Sequence, residues 1–439
     1  MKFYDREREL EMLHTIGEMA LEESQMTVLV GRRRIGKTHL LLKSSENQTT
    51  LYFFVSRKAE NLLCRDFIEE INRKLPNPIG EYSSFTKLFE HLMYLSRETP
   101  LTLIIDEFQE FNRVNPSIFS EMQKIWDINK AAGKMNLLIS GSIFSLMHKI
   151  FEDKKEPLFS RAGQIINLHA LKVSVLKQIL SDYNPYYTAE DLLTLYTFTG
   201  GVAWYIELFM KYKAFTFDKM ISLVIKEDSP FLNEGKNLLV EEFGKEYTIY
   251  FSVLECIARG LTSRGDIENY LGNIEIGGYL SRLDRDFSVI RQKRPLFSRP
   301  LGKQVRYSIE DNFLSFWFRF IYKYQNFIES GSLGLLETII RRDYNTFSGE
   351  MLERYFKDKY IEQGIYTSIG GFWDRKGENE IDLIAVNELD KTIEFCEIKR
   401  KSSRVNIHEL TRKGQLFLQQ HKAVADFKVS YKGLSLDDL

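Results

Sequence analysis

Residues 31–38 read Gly-Arg-Arg-Arg-Ile-Gly-Lys-Thr, between the apolar run Met26–Val30 and the helical run Thr38–Lys43. A strand, a GxxxxGK[ST] turn and a helix in that order constrain this chain more than any other feature. The glycines let the backbone wrap tightly, so successive N–H groups point inward, and the helix N-terminus adds partial positive charge. Gly31, Arg32, Arg33, Arg34, Ile35, Gly36, Lys37 and Thr38 therefore make a cradle for phosphate oxygens. Lys37 is expected to reach the β- and γ-phosphates of a nucleoside triphosphate, and the Thr38 hydroxyl to sit on its magnesium ion.

Such a loop needs an acidic partner at the end of a second strand. Leu101–Ile105 is a continuous apolar run that ends in Asp106-Glu107. Asp106 is expected to hold magnesium, mostly through water, and Glu107 to polarise the attacking water as general base. Leu137–Ser142 is a further strand ending in hydroxyl residues, and either Ser140 or Ser142 is placed to contact the γ-phosphate or that water; a plain strand-to-turn junction fits the same residues. Arg161, in Pro157–Arg161, is a candidate for positive charge at the transition state, from its own chain or a neighbour's.

The strand candidates Met26–Val30, Leu51–Val55, Leu101–Ile105 and Met135–Ser140 alternate with amphipathic stretches, which implies a parallel sheet covered on both faces. At 439 residues the chain exceeds the roughly 250–300 that one hydrophobic core supports, so several domains are expected. The formal net charge of −1 means that any nucleic-acid surface must be a local patch. The three cysteines, Cys64, Cys256 and Cys396, are isolated, which argues against a disulfide framework or zinc site and fits a reducing, cytoplasmic setting. The charged N-terminus lacks a signal sequence's apolar run, and no window approaches the roughly 20 apolar residues of a membrane helix, so no membrane partner is expected.

The segment Phe3–Leu13, the loop GRRRIGKT, the run LTLIIDEFQEF, the ISGS strand end and PLFSR together resemble the archaeal-type ATPase family, relatives of the AAA+ and signal-transduction ATPases. The resemblance covers about the first 240 residues. It implies ATP rather than GTP as ligand, an arginine-finger or sensor role for Arg161, and a helical lid over 171–244 that includes Thr199-Gly200-Gly201-Val202. The family usually has a proline soon after that glycine pair, where this chain has Ala203-Trp204. Family members often continue into a winged helix and then a domain of long-unknown function, and an Arg161 acting from a neighbour's chain would make the protein a homo-oligomer.

The C-terminal half follows that plan. Helices at Tyr247–Ala258, Ser263–Leu271 and near Ile276–Asp284, then an extended segment closing at Val305–Ile309, lay out a winged helix-turn-helix over 245–310. Arg282, Arg285, Arg291, Lys293, Arg294, Arg299, Lys303 and Arg306 cluster there and suit DNA phosphates; a winged helix that only packs between its neighbours is the competing reading. Aromatic connecting helices over 311–345 lead to a last α/β unit, 346–439. In it, Glu353 lies on a helix, Asp382 opens one strand, and Glu397 and Lys399 lie two apart on the next, on one face. Glu350 competes with Glu353 for the helical position, and a resemblance to Holliday-junction resolvases with a GxxxE helix favours Glu353. Asp382, Glu397 and Glu353 are oxygen ligands suited to magnesium or manganese, with Lys399 to orient or deprotonate a water and Gln415 to assist. This set resembles the PD-(D/E)xK nuclease superfamily, which implies a restriction-endonuclease-like fold and DNA as substrate.

The expected architecture is thus α/β multidomain: a parallel-sheet P-loop core over 1–170, then the lid, winged helix, connecting helices and nuclease-like domain. Two whole-protein readings remain open: an ATP-driven DNA-processing enzyme, or a nucleotide-switched regulatory protein whose C-terminal domain only binds DNA or a partner.

Overall fold

The computed structural model describes residues 2–243, 247–299, 302 and 304–439, with nothing described for the side chain of Glu241. The expected lid-to-winged-helix boundary at 244/245, and Lys303, lie outside these. The chain divides into two compact units, one of Phe3–His169 and one built from Ala170–Leu439.

The first unit is a five-stranded parallel sheet of β1 (Gln25–Gly31), β2 (Thr50–Phe54), β3 (Leu101–Asp106), β4 (Met135–Gly141) and β5 (Gln164–Leu168), in the order β2-β3-β4-β1-β5. Alternate residues of these strands enter two separate cores. Val28, Phe53, Leu103, Ile105 and Ile139 pack on one face, and Leu29, Ile104, Leu138 and Ile166 on the other. Burial on both faces explains why β1, β3 and β4 read as unbroken apolar runs. Because every strand is parallel, all the carboxyl ends meet at one edge, where open α/β sheets bind ligands. β5 was absent from the sequence reading. It is an edge strand whose exposed Gln164 and Asn167 interrupt the apolar run, leaving only Ile165, Ile166 and Leu168 to signal it.

In the second unit, helices Val173–Tyr183, Ala189–Thr199, Ala203–Lys211, Phe217–Ile225 and Pro230–Phe243 follow one another with no strand among the described residues. Gly200 and Gly201 both have positive φ, and a Cβ on Gly201 would meet the Leu171 carbonyl at 2.2 Å, so glycine is required there. Helices Tyr247–Ala258, Arg264–Tyr270 and Gly277–Ser281 come next, and the last continues as a π-turn, Arg282–Asp286. β6 (Ile290–Lys293) and β7 (Arg306–Ile309) then pair antiparallel.

One 31-residue helix, Leu333–Gln363, about 47 Å long at 1.5 Å per residue, runs through the position where connecting helices were expected to hand over to the last domain. It leads to a four-stranded mixed sheet of β8 (Ser368–Trp373), β9 (Glu380–Asn387), β10 (Thr392–Ile398) and β11 (Lys428–Leu434), in the order β11-β10-β9-β8. The β8–β9 and β9–β10 pairs are antiparallel and β10–β11 is parallel. Helix Ile407–Gln420 covers one face, with Leu410 and Phe417 on a core of Ile384, Val386, Ile393 and Phe395. Among the described residues no helix is long and apolar enough to cross a membrane.

Candidate functional sites

β1 delivers the 31–38 loop to the carboxyl edge of the first sheet. Gly36 has φ +99° and Arg34 φ +70°, so the chain turns through left-handed conformations before helix Lys37–Ser44 begins. Gly31 is required by packing, since a Cβ there would meet the Leu168 carbonyl at 2.7 Å. Lys37 is buried, and its Nζ donates to the carbonyls of Gly31 at 2.7 Å and Arg32 at 3.0 Å. The ammonium is thereby held across the mouth of the loop, where a phosphate would exchange for those carbonyls.

β4 lies between β1 and β3, and its end ties the two halves of the site together. The Asp106 carboxylate accepts from Thr38 Oγ1 at 2.6 Å, Ser140 Oγ at 2.5 Å and Tyr52 Oη at 2.9 Å. Glu107, at φ +56°, turns its carboxylate aside, and its Oε2 accepts from Ser142 Oγ at 2.6 Å and Gln109 Nε2 at 2.5 Å. The two hydroxyls left open by the sequence are therefore divided, Ser140 to Asp106 and Ser142 to Glu107. Tyr52 and Gln109 escaped the sequence reading. Tyr52 comes from β2, where parallel register sets it beside Ile104, and burial, then the Asp106 charge, push its phenol above the ordinary range. Gln109 lies two residues past Glu107, a spacing that could have marked it.

The donor set suits magnesium, because Thr38 and Asp106 are hard oxygen donors already touching one another. Arg161 is placed elsewhere. Its guanidinium pairs with Asp127 through Nη2 at 3.0 Å and Nε at 3.3 Å, and its Nη1 donates to the Phe159 carbonyl at 2.9 Å. The pair is half-exposed, with 30% of the Arg161 side chain and 43% of the Asp127 side chain accessible.

The second unit gathers the other predicted set. Asp382 on β9 accepts from the Ile398 amide at 2.8 Å and from Lys399 Nζ at 3.0 Å, while Nζ lies 3.8 Å from Glu397. Glu397 also accepts from the Asn406 amide at 2.6 Å. Burial opposes the Lys399 charge, but Asp382 and Glu397 outweigh it and hold the ammonium above its ordinary pKa. In this arrangement the ammonium is placed to orient and donate. On the long helix, burial and then the Asp382 and Glu350 charges push the Glu353 carboxyl up to about 8. Glu350 is instead held by Arg354, at 2.7 Å, so the two acids that competed for the helical position have separate roles. Among the described residues no three His, Cys, Asp or Glu side chains converge closely enough to hold a metal ion. The physical reason at this site is the Lys399 ammonium, which sits between Asp382 and Glu397.

Of the basic residues expected to grip DNA, Arg291 pairs with Glu310 and Arg306 with Glu380, both at 2.6 Å. Arg282 donates to Tyr250 Oη at 3.2 Å and Arg294 to the Gly302 carbonyl at 2.6 Å, while Arg285 and Arg299 are exposed. Much of the patch thus has partners within its own unit.

Comparison with known proteins agrees with the first site. Residues 3–209 match the family model described as an ATPase domain predominantly from Archaea. An uncharacterised protein of Methanocaldococcus jannaschii is 33% identical over 408 residues, which cover 91% of this chain and 88% of that one. The chain belongs to this archaeal ATPase family. Residues 317–410 of the archaeal-type ATPase match a second model, described as archaeal and bacterial proteins of unknown function. Among solved structures, a Walker-type ATPase of Pyrococcus abyssi is similar, with a TM-score of 0.55 at 18% identity, over 72% of this chain and 96% of that one. The ORC2 protein of Aeropyrum pernix, solved as ADPNP–ADP complexes, gives 0.51 at 15% identity, over 75% and 96%. At these identities the likeness concerns the fold: a P-loop nucleotide-binding core in an archaeal-type ATPase.

Proposed function

We propose that this protein hydrolyses ATP with magnesium at the carboxyl edge of the first sheet. The observation that carries the reading is the pair of neighbouring carboxylates, each oriented by its own serine: Asp106 by Ser140 and Glu107 by Ser142. Asp106 and Thr38 would hold the ion, which would supply charge stabilisation to the phosphates. Lys37 binds the phosphate oxygens, and Glu107 takes a proton from the attacking water, its carboxylate fixed in direction by Gln109 and Ser142. Magnesium-dependent ATP turnover by the full chain is the test. Lys37→Ala should abolish it, and unchanged turnover in that variant would remove the loop from the chemistry.

A second reading concerns the other unit, and the cross-strand placement of Asp382, Glu397 and Lys399 favours it. In this reading the helices and hairpin of 247–309 form a winged helix, and the C-terminal domain acts on DNA phosphodiesters. Its carboxylates have the oxygen chemistry for magnesium or manganese, and exposed Lys401 and Arg404 suit a DNA backbone. Incubating plasmid and branched DNA with either ion, wild type beside Asp382→Ala, separates cutting from binding. Cleavage lost in the variant supports a nuclease. No cleavage by either protein supports the ATP-switched binding protein.

A further inference from the structure

Between β6 and β7 the chain leaves its hairpin and docks on the C-terminal sheet. The Leu296 amide donates to the Gly371 carbonyl on β8 at 2.9 Å, and the Leu296 side chain packs on the core beneath helix Ile407–Gln420. Phe297 lies against Phe417, with ring centroids 6.1 Å apart. Arg306, on β7, pairs with Glu380 at 2.6 Å and sets its guanidinium 4.5 Å from the Trp373 ring centroid. On the other side, Arg354 donates to the Ile309 carbonyl at 2.7 Å from the long helix. The hairpin is therefore anchored to both elements that carry the acidic residues: the helix with Glu350 and Glu353, and the β8–β9 edge with Asp382.

Lys293 closes β6 on the side facing that helix. Its Nζ lies 4.0 Å from Glu350, and Glu353, three residues on, shares that helix face. Lys399 is committed to Asp382 and Glu397 at the other end of the cluster. Lys293 keeps 37% of its side chain exposed, so an anion arriving from solvent can reach it. At 4.0 Å, Glu350 is at the limit of an ion pair and already has Arg354 as a closer partner, so little is lost when Lys293 turns to another oxygen.

We propose that the β6–β7 pair, anchored through Leu296 and Phe297, is a built part of the C-terminal site and that Lys293 is its phosphate-binding residue, engaging a nucleic-acid phosphodiester beside Glu350 and Glu353. The inference rests on the reading that the C-terminal domain acts on DNA, and it assigns the hairpin a place in the site rather than the role of a free wing. The test is binding of a fluorescein-labelled duplex DNA oligonucleotide to the full chain across a series of salt concentrations. Loss of one phosphate contact makes the slope of log K against log salt shallower by about 0.9, a readout that loosened packing does not move. Lys293→Met should weaken binding and flatten the slope by that amount, and Lys293→Arg should keep the slope. A Lys293→Met variant that binds with the wild-type slope overturns the proposal, whether or not its affinity falls. If Lys399→Met flattens the slope and Lys293→Met does not, the domain reads DNA without the hairpin. If wild type binds no duplex at all, the underlying reading falls and this inference with it.

Discussion

The two candidate sites hold their carboxylates by different chemistry. In the first unit, Asp106 is oriented by the hydroxyls of Thr38, Tyr52 and Ser140, and Glu107 by a hydroxyl and an amide. In the second, Asp382 and Glu397 are bridged by an ammonium, and Glu350 is held by a guanidinium. Neutral donors fix a carboxylate's direction without cancelling its charge, and so leave it able to hold a metal ion or take a proton. Cationic donors fix the direction and satisfy the charge together. In the proposed ATP site Asp106 and Glu107 would thus act as they stand, whereas a cation at the C-terminal set would first have to displace a lysine's charge.

The largest effect that would break the comparison lies in the second unit. Asp382→Ala removes the main partner of Lys399. A fully buried pair broken this way costs about 3–5 kcal/mol, and the 37% exposure of Lys399 brings the expected loss to about 2 kcal/mol. Urea unfolding measures it, and Lys399→Met in the same background should recover part of the loss. Strict additivity of the two changes would mean that the ammonium does not carry the carboxylate's charge. In the first unit, Gly141→Ala places a Cβ 2.3 Å from the buried Gln109 Oε1 and 2.4 Å from Sδ of Met147 in the packed core. About 1–2 kcal/mol of destabilisation is expected. Turnover should fall further than the melting shift accounts for, because Gln109 must swing away from Glu107. Tyr52→Phe sharpens the contrast at smaller scale. It deletes one of three hydroxyls on Asp106, worth about 0.5–1.5 kcal/mol. The concentration of magnesium needed for half-maximal turnover should rise, with kcat at saturating magnesium nearly unchanged.

The same contrast marks what could be read from the residues alone. The 31–38 loop, Asp106, Glu107, Ser140 and Ser142 could be picked out because each sits at the end of a buried parallel strand, where an apolar run stops abruptly at polar side chains. Tyr52 was hidden because only parallel register brings β2 beside β3. In the second unit the identities of Glu353, Asp382, Glu397 and Lys399 were legible, but their pairing was not, since strand alternation says which residues share a face and nothing about which charge fills the space between them. β8 escaped because Gly370 and Gly371 interrupt its apolar pattern, and a register shift beside them breaks the alternation. The basic cluster of 282–306 was visible in the sequence, but the partners of Arg291 and Arg306 were not, because Glu310 and Glu380 come from outside that stretch.

Glu107, held in place by neutral donors, is the proposed base of the ATP-hydrolysing site. Single-turnover hydrolysis of ATP with magnesium by wild type and Glu107→Gln, with nucleotide binding measured alongside, tests it most directly. The account predicts ATP bound as well by the variant as by wild type, with hydrolysis slowed by about 10²–10⁴-fold. Wild-type turnover in Glu107→Gln would contradict it.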